Sequence, residues 1–441
     1  MLVLRLLVLC AFLTVINAPS VKALTLLRDP DIEYALKQLA APVLKAAGLS
    51  PTRIDILVID DRRLNAFVVD SNSIFIHSGL LLKMKNAAML QSVLAHEAAH
   101  IANGHLVRRP VAARNARTAA GLGAILAAAA AVAAGGSEAA GAVALGAQNT
   151  ARRLFLVHTR AEENSADNSG MRYLARAGID PQGAVDVIDI FRGQEALSAA
   201  RQDPYARTHP LSSDRYRLVK RLADGYKDKA RPNPQADYWF TRAKGKLSAF
   251  QRSPKWTLTR AGETGYADVK LMRQAVAHHR NTNLKKALTA IDGAIGQRPK
   301  DPFLHELRGQ ILIESRQTKA AVAAYARAAN LAPKNALILG AYGRSLLVSG
   351  QTRKAQQFLE QARARDGRDA RVLRDLAAAH AKQGNNGMAS LVTAERYAMQ
   401  GRLKDAGIHA QRASDLLPRG SGGWQRAQDV LFAAQAARKR K

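Results

Sequence analysis

His96-Glu97-Ala98-Ala99-His100 is the segment of this chain whose residue types and spacing can do chemistry. On an α-helix, positions i and i+4 lie one above the other, so both imidazoles can aim a ring nitrogen at one metal ion with Glu97 beside it. In this H-E-x-x-H arrangement two histidines hold Zn²⁺ and the glutamate serves as general base toward an activated water. The chemistry is metal-assisted hydrolysis, with a peptide bond as the first substrate to consider. Tetrahedral zinc also wants a third protein ligand, so a carboxylate or histidine should follow downstream. Within Thr159-Arg160-Ala161-Glu162-Glu163-Asn164-Ser165-Ala166-Asp167, Glu163 and Asp167 share a helix face. One could bind the metal while the other orients a liganding imidazole. Spacing does not separate Glu163 from Glu162, and His105 and His158 are rivals. His105, displaced around the helix from His100, reads as a structural or supporting group, and His77 reads as structural.

The elements around these residues must position them. Lys83 to Ile101 lacks Gly and Pro and spaces Leu90, Val93, Leu94 and Ile101 for one apolar face, which predicts a helix. Ile32 to Ala47 predicts an earlier one. Between them, 54–59, 64–69 and 73–77 are short β-rich runs separated by polar clusters, and they predict a small antiparallel sheet. An exposed edge of such a sheet can take up an extended peptide beside the metal.

The second half repeats itself. Gln297-Arg298-Pro299-Lys300-Asp301 is echoed by Leu331-Ala332-Pro333-Lys334-Asn335, and Ser349-Gly350-Gln351 by Gln383-Gly384-Asn385, each 34 residues on. That is the period of tetratricopeptide helix pairs. About four units fit between Tyr266 and Pro418, with Trp424 to Lys441 as a capping helix. The fold class is thus an α+β zincin-like metallopeptidase domain, mostly helical with a small antiparallel sheet, followed by an α-helical repeat solenoid. Residues 24–225 form the peptidase domain, 226–264 a connecting segment and 265–441 the repeats.

The N-terminus names a compartment. One charge, Arg5, precedes an apolar run to Ile16 and small-residue exits at Ala18 and Ala23, so residues 1–23 read as a secretory signal peptide. Cys10 is the chain's one cysteine. After cleavage none remains, which excludes disulfides and thiolate ligands. The Ala/Gly-rich stretch 119–147 reads as small-residue helices packed over the site or touching a membrane surface. The net charge of +31 favours polyanionic partners, including phosphate-bearing lipid surfaces. No nucleic-acid-binding signature accompanies it, so nucleic acid is not an expected partner.

Asn65-Ala66-Phe67, Gly79-Leu80-Leu81, the H-E-x-x-H segment, Arg160 with Glu163 and Ala166-Asp167, and Thr208-His209-Pro210-Leu211 with Arg215 together resemble the M48 family of zinc metallopeptidases, specifically its exported, repeat-bearing branch. The resemblance covers the catalytic half well and the repeats by architecture alone. It implies one Zn²⁺ on His96, His100 and Glu163, with Asp167 behind them. Glu97 would be the general base, His209 a transition-state donor or self-inhibitory ligand, and Arg215 an oxyanion partner. It implies an endopeptidase of the periplasm, in contact with the membrane or not, that cleaves misfolded or stalled outer-membrane proteins. Its repeats would bind substrate or the outer-membrane assembly machinery. The competing reading is a chaperone or assembly factor whose proteolysis is latched or minor. The Ala/Gly stretch departs from the family pattern, being longer and blander than a membrane hairpin.

Overall fold

A computed structural model describes residues 25–106, 159–198 and 201–439. The signal-like segment, His158 and the 119–147 stretch lie outside the described residues. The chain opens with β1 (Leu26–Leu27) and α1 (Pro30–Ala46). Asp29 caps α1 by accepting from the backbone N–H groups of Asp31 and Ile32, and Pro30 enters at the first turn. Three strands follow, β2 (Asp55–Ile59), β3 (Ala66–Asp70) and β4 (Ser73–His77). They lead into α2 (Ser78–Lys83) and α3 (Ala87–Ala102), which carries the H-E-x-x-H motif.

The sheet is mixed, which corrects the antiparallel expectation. Its order is β1-β2-β4-β3, with β2 and β4 parallel and the two outer pairs antiparallel. Burial explains the order: β2 and β4 are apolar nearly throughout and take the centre, whereas β3 ends on exposed Val69 and Asp70 and suits an edge. The crossover at residues 60–65 runs tightly against α2, where a Cβ on Gly79 would lie 2.0 Å from the Arg62 carbonyl oxygen. Only glycine fits there.

Beyond the sheet, α4 (Arg160–Ala177), α5 (Gln182–Ile190), α6 (Pro204–Thr208), α7 (Ser213–Tyr226) and α8 (Pro234–Gln251) complete the peptidase core. The connecting segment therefore holds a helix that serves two cores. Phe240, Ala243 and Leu247 of α8 pack with α1 and α3, while Tyr238 and Ala249 pack with the first repeat. A short α9 (Pro254–Thr259) precedes the repeats.

The repeats are helix pairs: α10 (Ala267–Arg280) with α11 (Leu284–Gln297), α12 (Pro302–Glu314) with α13 (Thr318–Leu331), α14 (Ala336–Val348) with α15 (Thr352–Arg365), and α16 (Ala370–Lys382) with α17 (Asn386–Met399). Asp301, Asn335 and Asp369 cap the first helix of successive pairs at the 34-residue period. After these four pairs, α18 (Leu403–Leu416) packs against both α17 and α19 (Gly422–Lys439), so the terminal helix closes a fifth pair. No helix among the described residues is long and apolar enough to cross a membrane.

A buried charge network joins the two halves. Arg242 on α8, 1% exposed, holds Asp31 at 2.7 Å and Asp301 at 2.5 Å. Removing one partner of a buried ion pair costs about 3–5 kcal/mol because the other charges stay buried. Arg242→Ala is expected to lower unfolding free energy by about that amount in urea titration; an unchanged midpoint would show that the network is incidental to stability.

Candidate metal centre

α3 sets His96 and His100 one turn apart, with their Nε2 atoms 3.1 Å from each other. α4 begins with a capping box. The Glu162 carboxylate accepts from the Thr159 backbone N–H at 2.9 Å, and the Thr159 hydroxyl accepts from the Glu162 N–H at 3.2 Å. Glu162 is committed to that cap. Glu163, one position on, is fully buried and reaches Nε2 of His96 at 3.3 Å and of His100 at 3.4 Å. The Thr-x-x-Glu spacing was the sequence signal that could have separated these neighbours.

His209 closes the cluster from the turn after α6. Its Nδ1 lies 3.2 Å from His96 Nε2 and 3.1 Å from Glu163 Oε1. The donor atoms of His96, His100, Glu163 and His209 all fall within 4.8 Å of one another, and all four residues are buried. A tetrahedral site with bonds of about 2.0–2.1 Å has edges of roughly 3.3–3.4 Å, close to the 3.1–3.4 Å separations of these atoms. Charge agrees with geometry. Glu163 and Asp167 flank the buried Arg215 guanidinium and Glu97 lies 3.4 Å from His209, so three buried carboxyl groups meet one guanidinium in this region, an excess of negative charge suited to a divalent cation.

The supporting contacts are as specific as the donors. His96 Nδ1 donates to Asp167 Oδ1 at 3.0 Å, which turns Nε2 toward the cluster. His100 Nδ1 meets His105 Nδ1 at 2.9 Å, so His105 backs the second motif histidine. His77 stays apart from the cluster, 3.6 Å from Asp61. Arg215 binds Asp167 through Nε at 2.5 Å and Nη2 at 2.9 Å, and Glu163 Oε2 through Nη1 at 2.6 Å. In this structure the Arg215 guanidinium is engaged with these two carboxylates. Burial alone would raise Asp167, but Arg215 overrides it and holds the carboxyl at about 2. Glu163 is held well below its usual range in the same way. Burial disfavours a charged His96, yet the Glu163 and Asp167 carboxylates outweigh it and raise the imidazole to about 10.

Two contacts escaped sequence reasoning. The Tyr205 ring packs 4.6 Å from the His209 ring and 4.7 Å from Phe191, and its carbonyl accepts the His209 N–H at 2.8 Å. His209 Nε2 also lies 3.2 Å from the Ala66 carbonyl on edge strand β3 and 3.4 Å from Glu97 Oε1. Neither pairing has a signature in residue spacing, because each joins elements more than a hundred residues apart or depends on a turn.

An H-E-x-x-H helix, a carboxylate from a second helix and an edge strand beside them define a metallopeptidase domain. Residues 27–223 match the model of Peptidase family M48 and residues 312–379 that of the Tetratricopeptide repeat. The chain thus joins a segment that matches the M48 peptidase family to repeats that match the tetratricopeptide model. The Beta-barrel assembly-enhancing protease of Escherichia coli (strain K12) is 25% identical over 412 residues, 90% of this chain and 81% of that one. A Vibrio cholerae serotype O1 protein provisionally given the same designation is 32% identical over 225 residues, 49% of this chain and 44% of its own. The Mitochondrial metalloendopeptidase OMA1 of Schizosaccharomyces pombe is 30% identical over 181 residues, 40% and 49% respectively. The chain thus spans less than half the length of the last two relatives.

Groups that orient a metal-binding imidazole typically contribute roughly 10- to 100-fold in metal affinity. Asp167→Ala is expected to weaken Zn²⁺ binding by that factor in competition with a chelating dye, with helical circular dichroism retained. Unchanged affinity would show that Asp167 serves Arg215 alone.

Proposed function

We propose that the chain is an exported, zinc-dependent endopeptidase of the periplasm that acts on outer-membrane proteins which have misfolded or stalled, and that its repeats bind them or the machinery that assembles them. The observation that carries the catalytic part is the convergence of His96, His100 and Glu163 with Glu97 alongside, all buried on rigid helices. The relatives' designation as assembly-enhancing proteases supports the choice of substrate and compartment. So does the signal-like N-terminus.

Zinc held by His96, His100 and Glu163 would supply Lewis-acid chemistry, drawing the pKa of water toward about 7 and polarising the scissile carbonyl. The protein's own groups do the rest. Glu97 takes the proton of the attacking water and delivers it to the leaving amine. Edge strand β3 offers backbone groups to an extended substrate, so that the scissile bond is presented beside Glu97. Asp167 and Arg215 keep His96 and Glu163 in register while substrate enters.

His209 gives a second reading its footing. Its Nδ1 completes the donor set where an attacking water would sit, and its Nε2 lies against Ala66 O on the strand that substrate would use. One imidazole thereby competes with water and with substrate. In this state the protein is a binding and assembly factor whose proteolysis is latched, and release of the Thr208-His209-Pro210 turn opens the enzyme.

Zinc content and casein cleavage measured together for wild type, Glu97→Gln and His209→Ala test both readings. Stoichiometric zinc in all three, turnover lost in Glu97→Gln, and turnover raised several-fold in His209→Ala would establish a latched peptidase. Residual cleavage by Glu97→Gln would remove Glu97 as the base. Zinc without cleavage in any of the three would favour the assembly role.

A further inference from the structure

The peptidase core and the repeats border a cavity of about 370 Å³ that the chemistry above does not use. Residues 27–30 and α8 form one wall, and α12, α14 and α16 form the other. Its size falls at the lower end of ligand pockets, roughly 300–1,000 Å³. Exposed Arg344 and Glu314 mark its mouth. The charge of its lining runs against that of the chain: five carboxylates face three arginines, in a protein with 66 Lys and Arg against 35 Asp and Glu.

Four of the five carboxylates are already answered. Asp29 binds Lys246 at 2.9 Å, Asp369 binds Arg371 at 2.9 Å, Asp375 binds Arg374 at 2.8 Å, and Glu314 binds His279 at 2.7 Å. Glu306 is different. It is 7% exposed, and its Oε2 accepts no hydrogen bond. The ammonium of Lys246 stands 3.9 Å from that oxygen, beyond hydrogen-bond reach, and is shared with Asp29 and Asp31. Lys246 is thus divided among three carboxylates, of which Asp31 also binds Arg242 at 2.7 Å. Burial pushes the Glu306 carboxyl above its usual range, as expected for a group short of compensating partners. A further cation, brought from outside, would give Glu306 Oε2 the donor it lacks.

The walls specify how that cation is carried. Leu247, Phe250, Ile313, Leu337 and Val372 give the cavity apolar sides, which suit the methylene stem of a long basic side chain more than a bare ion. Arg344 supplies donors for the carbonyls of a passing backbone.

We propose that this cavity is a subsite for a basic residue of an extended polypeptide, whose lysine or arginine head hydrogen-bonds Glu306 while its backbone lies along α12 and α14 toward Arg344. The subsite rests on the reading of the repeats as a polypeptide-binding module and is independent of the metal centre. It selects partners by a cationic residue flanked by apolar ones.

Acetyl-Leu-Lys-Leu-amide and acetyl-Leu-Glu-Leu-amide, titrated calorimetrically into the full chain carrying Glu97→Gln, test this. The lysine peptide is expected to saturate at one per chain and to bind at least about tenfold more tightly than the glutamate peptide, the discrimination expected from one charge-assisted hydrogen bond. Glu306→Gln should remove at least about tenfold of that affinity, and Ala341→Phe, which fills the cavity from α14, should abolish binding. Equal binding of the two peptides, no binding of either, or lysine-peptide binding untouched by both substitutions overturns the proposal. Casein cleavage by wild-type protein reports on the metal centre alone, so failure of the catalytic reading is seen separately.

Discussion

A buried guanidinium holds the catalytic half together. Arg215, 3% exposed, reaches from α7 to both Glu163 and Asp167 on α4, and through them to His96 on α3. A guanidinium taken out of water is tolerable only with carboxylates fully engaged on it, and its planar fork suits Asp167 on two donors while a third reaches Glu163. Three helices are thereby fixed by one side chain. The turn carrying His209 lies six residues before Arg215, so the same anchor delivers that imidazole to the cluster; the Arg215 Nη1 also lies 3.4 Å from the His209 carbonyl oxygen.

The motif helix is a poor surface helix and a good core one. From Ala87 to His100 nearly every side chain of α3 is buried, including Gln91, Ser92 and the motif residues. Alanines at 95, 98 and 99 let neighbouring helices approach closely, and Gly170 of α4 packs against the backbone at Ala95 and His96, 3.3 Å from where its Cβ would be. Close approach of α4 brings Glu163 within reach of both histidines. Rigidity follows from packing on all sides. The His209 turn is held in the same way, by side-chain and backbone hydrogen bonds to Asn65, Tyr205 and Ala66.

The repeats are coupled to this core by ions as well as by apolar contact. Arg242 and Lys246 on α8 gather Asp29, Asp31, Asp301 and Glu306 from both halves, and Arg28 joins Asp366 near the start of α16. Tyr34 of α1 packs 5.0 Å from Phe303 of α12. A ligand between the halves would thus touch the charge network that sets their arrangement.

Much of this was legible in residue order because it depends on local periodicity. The i, i+4 histidines, the alternating β runs and the 34-residue recurrence of Asp301 and Asn335 each follow from the geometry of one element, and a helix or strand repeats that geometry wherever it occurs. The apolar runs of β2 and β4 carried a hint of central placement, but strand order depends on which edges find partners, and the parallel pairing was missed. Glu163 over Glu162 turned on a capping bond, Arg215 on two carboxylates 48 and 52 residues upstream, and His209 on a strand carbonyl 143 residues away. By itself the sequence determined the chemistry available, the helix that bears it and the repeat architecture. Tertiary structure alone decided which donors converge, which way the guanidinium faces and how the repeats meet the peptidase core, because those contacts are made by burial and packing between distant segments that no local spacing records.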